Sequence, residues 1–314
     1  IGLPDPGSLT GEAKSRLLAT LRKAQFVGVR DENGANFLEA EGISIERMPC
    51  GLSVLPQVCA RQLRECRDSD SLNAMRHRFP NGWIAVEVSD IRQGDFERVS
   101  AALREVSERE GLGLVFFEAN KSLSESRSGL LTRWVNAFPE WEAAGFNSNN
   151  IWEVASLLLH SRLYCGSCLS SRVICMSGGI ARINIPTGSE AARSYCELWE
   201  HDSVPIEFDE EEDWAVSLGE ALAVDFSILQ QHASWLHRRY QESLERFCRD
   251  TGMSARLITG MHETAHARSS GAGQLLHKEW LQDDDSMRLF KRLNRRFRRT
   301  PKNQAAHPGA GLYR

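Results

Sequence analysis

The segment 82–119 constrains the fold most. "GWIAVEVSD" is a short continuous apolar run, "GDFERVSAALREVSEREG" has apolar residues at helical spacing, and "LGLVFFEA" is a second apolar run. Strand, amphipathic helix and strand with short joints make a βαβ unit, which calls for a parallel pair and a right-handed crossover. Around it, "GSLTGEAKSRLLATLRKAQ" and residues 54–78 read as helical. "FVGVRDENGANFLEAEGISIERMP" reads as short β-type runs about a Asp-Glu-Asn-Gly turn.

Beyond residue 145 the pattern changes. "NAFPEWEAAGFNSNN" carries turn-type residues and suggests a boundary. "IWEVASLLLHSRLY" reads as a helix, and "SRVICMSGGIARINIP" as two strands joined at Gly178-Gly179. "SLGEALAVDFSILQQHASWLHRRYQESLERFCRD" reads as a long helical region. The expected fold class is α/β or α+β, with a βαβ-containing N-terminal half and a helix-rich C-terminal half with a small sheet. The expected domains are an α/β subdomain over 1–145, a helix-rich subdomain over 146–299 and a disordered tail over 300–314.

The 314 residues are 41% hydrophobic and 25% charged with a formal net charge of -4, which excludes wholesale disorder. No apolar run is long enough to span a bilayer. Eight cysteines without a scaffold spacing suggest reduced thiols and a reducing, cytoplasmic compartment. The start at Ile1 suggests a trimmed product, which leaves a secreted effector open.

Residues 260–280, "GMHETAHARSSGAGQLLHKEW", look most like chemistry. His262, Glu263 and His266 fit H-E-x-x-H. On a helix, residues four apart share a face, so His262 and His266 can hold one zinc ion. Glu263 can take a proton from a metal-bound water. His277 is the candidate third ligand, with Glu279 as the fallback. The alternative is three histidines that merely fall close together. The arrangement resembles SprT-like (Spartan-type) metallopeptidases, in which H-E-x-x-H is followed by a third histidine and an aromatic, here His277 and Trp280. That resemblance implies a zinc-dependent peptidase acting on a protein substrate, over about twenty residues of the chain.

The tail "SMRLFKRLNRRFRRTPK" places Met287, Phe290, Leu293 and Phe297 on one helical stripe. Arg288, Lys291, Arg292, Arg295, Arg296, Arg298 and Arg299 surround it. Such a helix suits nucleic-acid phosphates or an acidic partner. A non-catalytic nucleic-acid or partner-binding protein is therefore the second expectation.

Two further constellations remain. Cys165-Gly-Ser-Cys168 can be half a metal site, a redox pair or two structural thiols. The order "GWIAVEVSD … LVFFEAN … YCGSC" is similar to that of YopJ-type effector acetyltransferases, which implies a cysteine-dependent acyltransferase with Glu118 and Cys165 as partners. Glu118 and Lys121, with Glu87 or Asp90, also form the E-x-K pattern of a nuclease metal site. Surface charge is the alternative for each.

Overall fold

The computed structural model describes residues 11–88, 91–119, 129–186, 190–209 and 211–252. Five strands form one parallel sheet: β3 (Trp83–Glu87), β4 (Gly113–Phe117), β5 (Ala143–Phe146), β6 (Leu163–Gly166) and β7 (Ala181–Asn184). Their order is β5-β4-β3-β6-β7. β3, β4 and β6 are buried along their whole length. That is why they read as unbroken apolar runs rather than alternating ones.

Helices cover both faces. α6 (Gln93–Glu110), α7 (Leu130–Asn136) and α11 (Trp214–Ala223) lie on one. There Phe96, Val99, Leu103 and Val106, spaced three and four apart on α6, meet Ile84, Val86, Leu114 and Phe116. α5 (Asp70–Arg78), α8 (Ile151–Leu159) and α9 (Leu169–Gly178) lie on the other, against Trp83, Ala85, Val115, Phe117 and Tyr164. The βαβ reading of 82–119 is thus borne out, with β3 and β4 paired in parallel from Trp83↔Gly113 to Glu87↔Phe117. The sheet takes strands from both sides of residue 145, where the sequence suggested a boundary.

The chain runs outward from β3 through β4 to β5, then returns to place β6 on the opposite side of β3. The strand order reverses there. In open α/β sheets this leaves a crevice at the carboxyl ends of the two strands, and ligands bind in it.

Residues 169–178 are a helix, not the first of two strands. Val173, Cys175 and Met176 are fully buried. The run Val-Ile-Cys is β-type in composition, but the burial of Val173 and Cys175 outweighs its small helix-propensity cost. Gly179 ends it in the left-handed conformation, φ 65°, which a glycine adopts without strain.

A smaller unit precedes the sheet. α1 (Gly11–Leu21), β1 (Gly28–Val29), α2 (Glu32–Ala40) and β2 (Glu46–Arg47) bury Leu18, Val29, Leu38 and Ile43 together, with β1 and β2 parallel. Asp31 caps α2 by accepting from Gly34 N at 2.8 Å. Asp-Glu-Asn-Gly therefore opens a helix instead of making the expected turn. A 3-10 turn (Gly51–Val54) and the short helices α3 (Leu55–Val58) and α4 (Ala60–Arg67) lead to α5. α10 (Glu190–Trp199) and α12 (Phe226–Thr251) complete the elements. α12 is anchored to β2: Arg239, Ser243 and Arg246 all bond the buried carboxylate of Glu46. No helix among the described residues is long and apolar enough to cross a membrane.

Candidate functional site

The reversal of strand order sets the site. Glu87, the last residue of β3, sends its side chain toward β6 and the first turn of α9. Its Oε2 accepts from Tyr164 Oη at 2.7 Å, from Cys168 N at 2.7 Å and from Ser167 N at 3.1 Å. Glu87 is 5% exposed. Burial holds its carboxyl above the ordinary glutamate range, outweighing the three hydrogen bonds that favour the anion. Tyr164 is fully buried, and burial together with this carboxylate keeps its phenol protonated well beyond the usual range.

Gly166 makes the crossing possible. A Cβ there would lie 2.5 Å from Glu87 Cβ and 2.7 Å from Oε2. Any other residue would push the carboxylate off the start of α9.

Beside this crevice opens a cavity of about 900 Å³. Segments at the carboxyl ends of three strands build it: Glu118 follows β4, Ser148 and Asn149 follow β5, and Cys168 and Ser170, in the cap and first turn of α9, follow β6. Trp152, from the first turn of α8, joins them, and leucines from the 3-10 turn, α3 and α8 supply much of the remaining wall. The site is therefore an apolar cavity with a few neutral polar groups and one carboxylate, the usual make-up of a small-molecule pocket. Cys168 contributes to both features: its N–H holds Glu87 and its residue lines the cavity.

A second buried carboxylate lies elsewhere. Glu200, just after α10, sits between Arg172 of α9 and Arg182 of β7, with all three side chains at 3% exposure or less. Arg172 Nη2 donates to Glu200 Oε2 at 2.7 Å and Arg182 Nε to the same atom at 2.9 Å. Burial alone would raise this carboxyl, but the two guanidiniums bring it down to about 2. His232 of α12 closes the network: its Nε2 lies 2.8 Å from Trp199 O and its Nδ1 accepts from Arg182 Nη2 at 3.1 Å. A ring that donates from one nitrogen and accepts at the other is neutral. Burial, against the pull of Glu200, holds His232 down to about 4.

The residues singled out in the sequence fall in three places. Glu87 and Glu118 both reach the carboxyl edge of the sheet. They do not form a metal cluster: among the described residues no group of three His, Cys, Asp or Glu could hold an ion. Cys165 points to the opposite face of the sheet from Glu87, into the core with Ile84 and Val86, and burial pushes its thiol far up. It cannot serve as the nucleophile of an acyltransferase, and all eight cysteines are free thiols. Lys121, Asp90, His262, Glu263, His266, His277, Glu279 and the basic residues Arg288 to Arg299 lie outside the described residues. Sequence reading missed Tyr164, Gly166 and Ser167. The available signal was a glycine in a strand-to-helix joint, "YCGSC", directly after an apolar strand.

No family model and no curated protein matches the chain. Solved structures do. An α,α-trehalose-phosphate synthase (UDP-forming) from Burkholderia vietnamiensis has a TM-score of 0.53 and 12% identity, covering 84% of this chain and 65% of its own. The UDP-forming synthase from Burkholderia xenovorans has a TM-score of 0.52 and 12% identity, covering 80% and 66%. The α,α-trehalose 6-phosphate synthase from Burkholderia multivorans has 0.51 and 12%, covering 85% and 66%. The chain thus spans about two thirds of the length of these structures. The SprT-like zinc peptidase expectation is corrected by this likeness. A five-residue pattern such as H-E-x-x-H recurs by chance, whereas the path of a doubly wound sheet is set by contacts along the whole chain. The nucleic-acid-binding and acyltransferase alternatives likewise find no support in these neighbours. The fold is the Rossmann-like α/β fold of GT-B type that these synthases display.

Proposed function

We propose that this chain binds a UDP-sugar and serves glycosyl transfer, with the nucleoside end of the donor in the cavity between α8 and α9. The observation that carries the reading is the cavity's position: it opens at the carboxyl ends of β4, β5 and β6, beside the point where strand order reverses. The likeness to UDP-forming synthases supports the choice of nucleotide. The lining suits a nucleoside. Trp152 offers a planar surface for a base, Ser148 and Asn149 offer neutral donors and acceptors for its edge, and Glu118 accepts from ribose hydroxyls.

Calorimetric titration with UDP, UDP-glucose and ADP-glucose tests this. Saturable binding of the uridine ligands below about 1 mM is expected. Trp152→Ala should weaken it about tenfold or more, the scale of one stacked base. Wild-type protein that binds none of the three at that concentration overturns the proposal.

A further inference from the structure

The opposite edge of the sheet carries a second cavity, of about 330 Å³, at the amino ends of β3, β4 and β5. Phe79 and Pro80 come before β3, Leu112 before β4, and Trp141 and Glu142 before β5. Glu142 is only 3% exposed. Its Oε1 accepts from Ser107 Oγ at 2.8 Å, while its Oε2 has no hydrogen-bond partner among the described residues. No other carboxylate oxygen among them is buried without one. A buried carboxylate oxygen that lacks a donor is costly, and a ligand that brings the donor removes the cost. Arg78 is the only cation among the described lining residues, and it is spent elsewhere. Its Nη2 donates to the carbonyl oxygen of Ala143 at 2.8 Å and to that of Glu140, and its guanidinium lies over the Phe79 ring.

We infer that this cavity binds the ammonium group of an alkylamine, with Glu142 Oε2 as its acceptor. Charge, aromatic surface and size support this. A charged donor makes a hydrogen bond to a carboxylate roughly twice as strong as a neutral one. Glu108 adds a second carboxylate at the exposed rim, so the wall attracts a cation and repels a phosphate. Trp141, next in the chain to Glu142, is 72% exposed and offers a ring face to the same charge. Phe79, Pro80 and Leu112 give apolar wall for a short methylene chain. The donor set does not suit a metal ion, since no group of three His, Cys, Asp or Glu among the described residues could hold one. Oε2 itself is covered, but the terminal torsion of a glutamate is broad. A small rotation of the carboxyl brings the oxygen to a donor in the cavity without moving the backbone.

This site is independent of the UDP-sugar reading and stands or falls without it. Calorimetric titrations with putrescine and with Nα-acetyl-lysinamide test it, at about 0.15 M salt to screen weak surface attraction. Saturable binding of at least one probe to wild type is expected below about 10 mM. Binding of putrescine alone assigns a free amine, and binding of Nα-acetyl-lysinamide alone assigns a lysine side chain. Binding of both assigns the bare ammonium group. Glu142→Gln is the informative variant. Its amide oxygen keeps the bond from Ser107 and leaves an NH2 group where Oε2 stood, so an acceptor becomes a donor. Affinity should fall about tenfold or more, with thermal melts run alongside to show that the variant is folded. If Glu142→Gln does not fold, Trp141→Ala takes its place. That side chain is exposed, and its loss should weaken binding about threefold. Wild type that binds neither probe overturns the inference, and so does unchanged affinity in the folded variant.

Discussion

Glu87 and Glu200 are the same residue type at the same depth, and the molecule treats them in opposite ways. Glu200 lies between two fully buried guanidiniums, which hold it ionised down to about 2. Glu87 has no cation among its bonding partners, only a phenol and two backbone N–H groups, and its carboxyl is held above the ordinary range. One is a cross-link: it ties α9, β7 and α12 together and has no acceptor capacity to spare. The other is a positioned group at the edge of the sheet where this fold binds ligands. A buried carboxylate is informative through the partners it lacks as much as through those it has.

The largest expected effect is at Glu200. Glu200→Gln leaves two buried arginines facing a neutral amide and should cost about 3–5 kcal/mol in urea unfolding. Glu87→Gln should cost under about 1 kcal/mol, since the amide oxygen keeps the same three donors. Similar losses at the two positions would erase the distinction drawn between them.

A second difference lies in acid. His232 in the Glu200 network is held at about 4, against 6.5 when unfolded. Between those values the unfolded chain binds more protons, so stability is complete above pH 6.5 and falls as pH drops toward 4. The loss over that window is about 3 kcal/mol. Glu200 acts in the same direction but lower, losing its contribution below 4.5 toward about 2. Glu87, raised in the folded state, has the opposite sign: its contribution is present below 4.5 and is lost as pH rises through its folded value. His232→Gln keeps one donor and one acceptor and should flatten the decline between pH 6.5 and 4.5 in thermal melts. A variant that declines as steeply as wild type would remove His232 from the account.

A further test concerns the crossing itself. Gly166→Ala places a methyl 2.5 Å from Glu87 Cβ. It should cost about 1–3 kcal/mol by overpacking and also weaken UDP-glucose binding, because the displaced carboxylate no longer holds Cys168 at the cavity wall. A stable variant with unchanged binding would show that the crevice tolerates what the geometry excludes.

How much of this was legible in the sequence depended on range. β3, α6 and β4 lie within 35 residues and carry their own periodicity, so the parallel βαβ unit was readable. α9 differs from the strand expected there because its Val, Ile and Cys residues suit a strand as well as a largely covered helix, and Gly178-Gly179 imitates a hairpin. Glu87 and Glu118 drew attention as metal carboxylates. Their actual setting depends on β6 pairing with β3, a contact between residues some 77 positions apart. No local pattern shows that pairing, so Tyr164 and Gly166 were passed over while the compact H-E-x-x-H run attracted the functional reading. Short motifs are visible because they are local, and the crevice is not local.

The most direct test of the account follows the glutamate side-chain carboxyl carbons by NMR in protein labelled with 13C at that position, with Glu87→Gln and Glu200→Gln to assign the two signals. Spectra are taken across pH with and without UDP-glucose. The account expects Glu87 to titrate above the ordinary range and to shift on adding UDP-glucose, while Glu200 stays ionised through pH 4 and does not respond. A ligand response at Glu200, or none at Glu87 when UDP-glucose is bound, would contradict it.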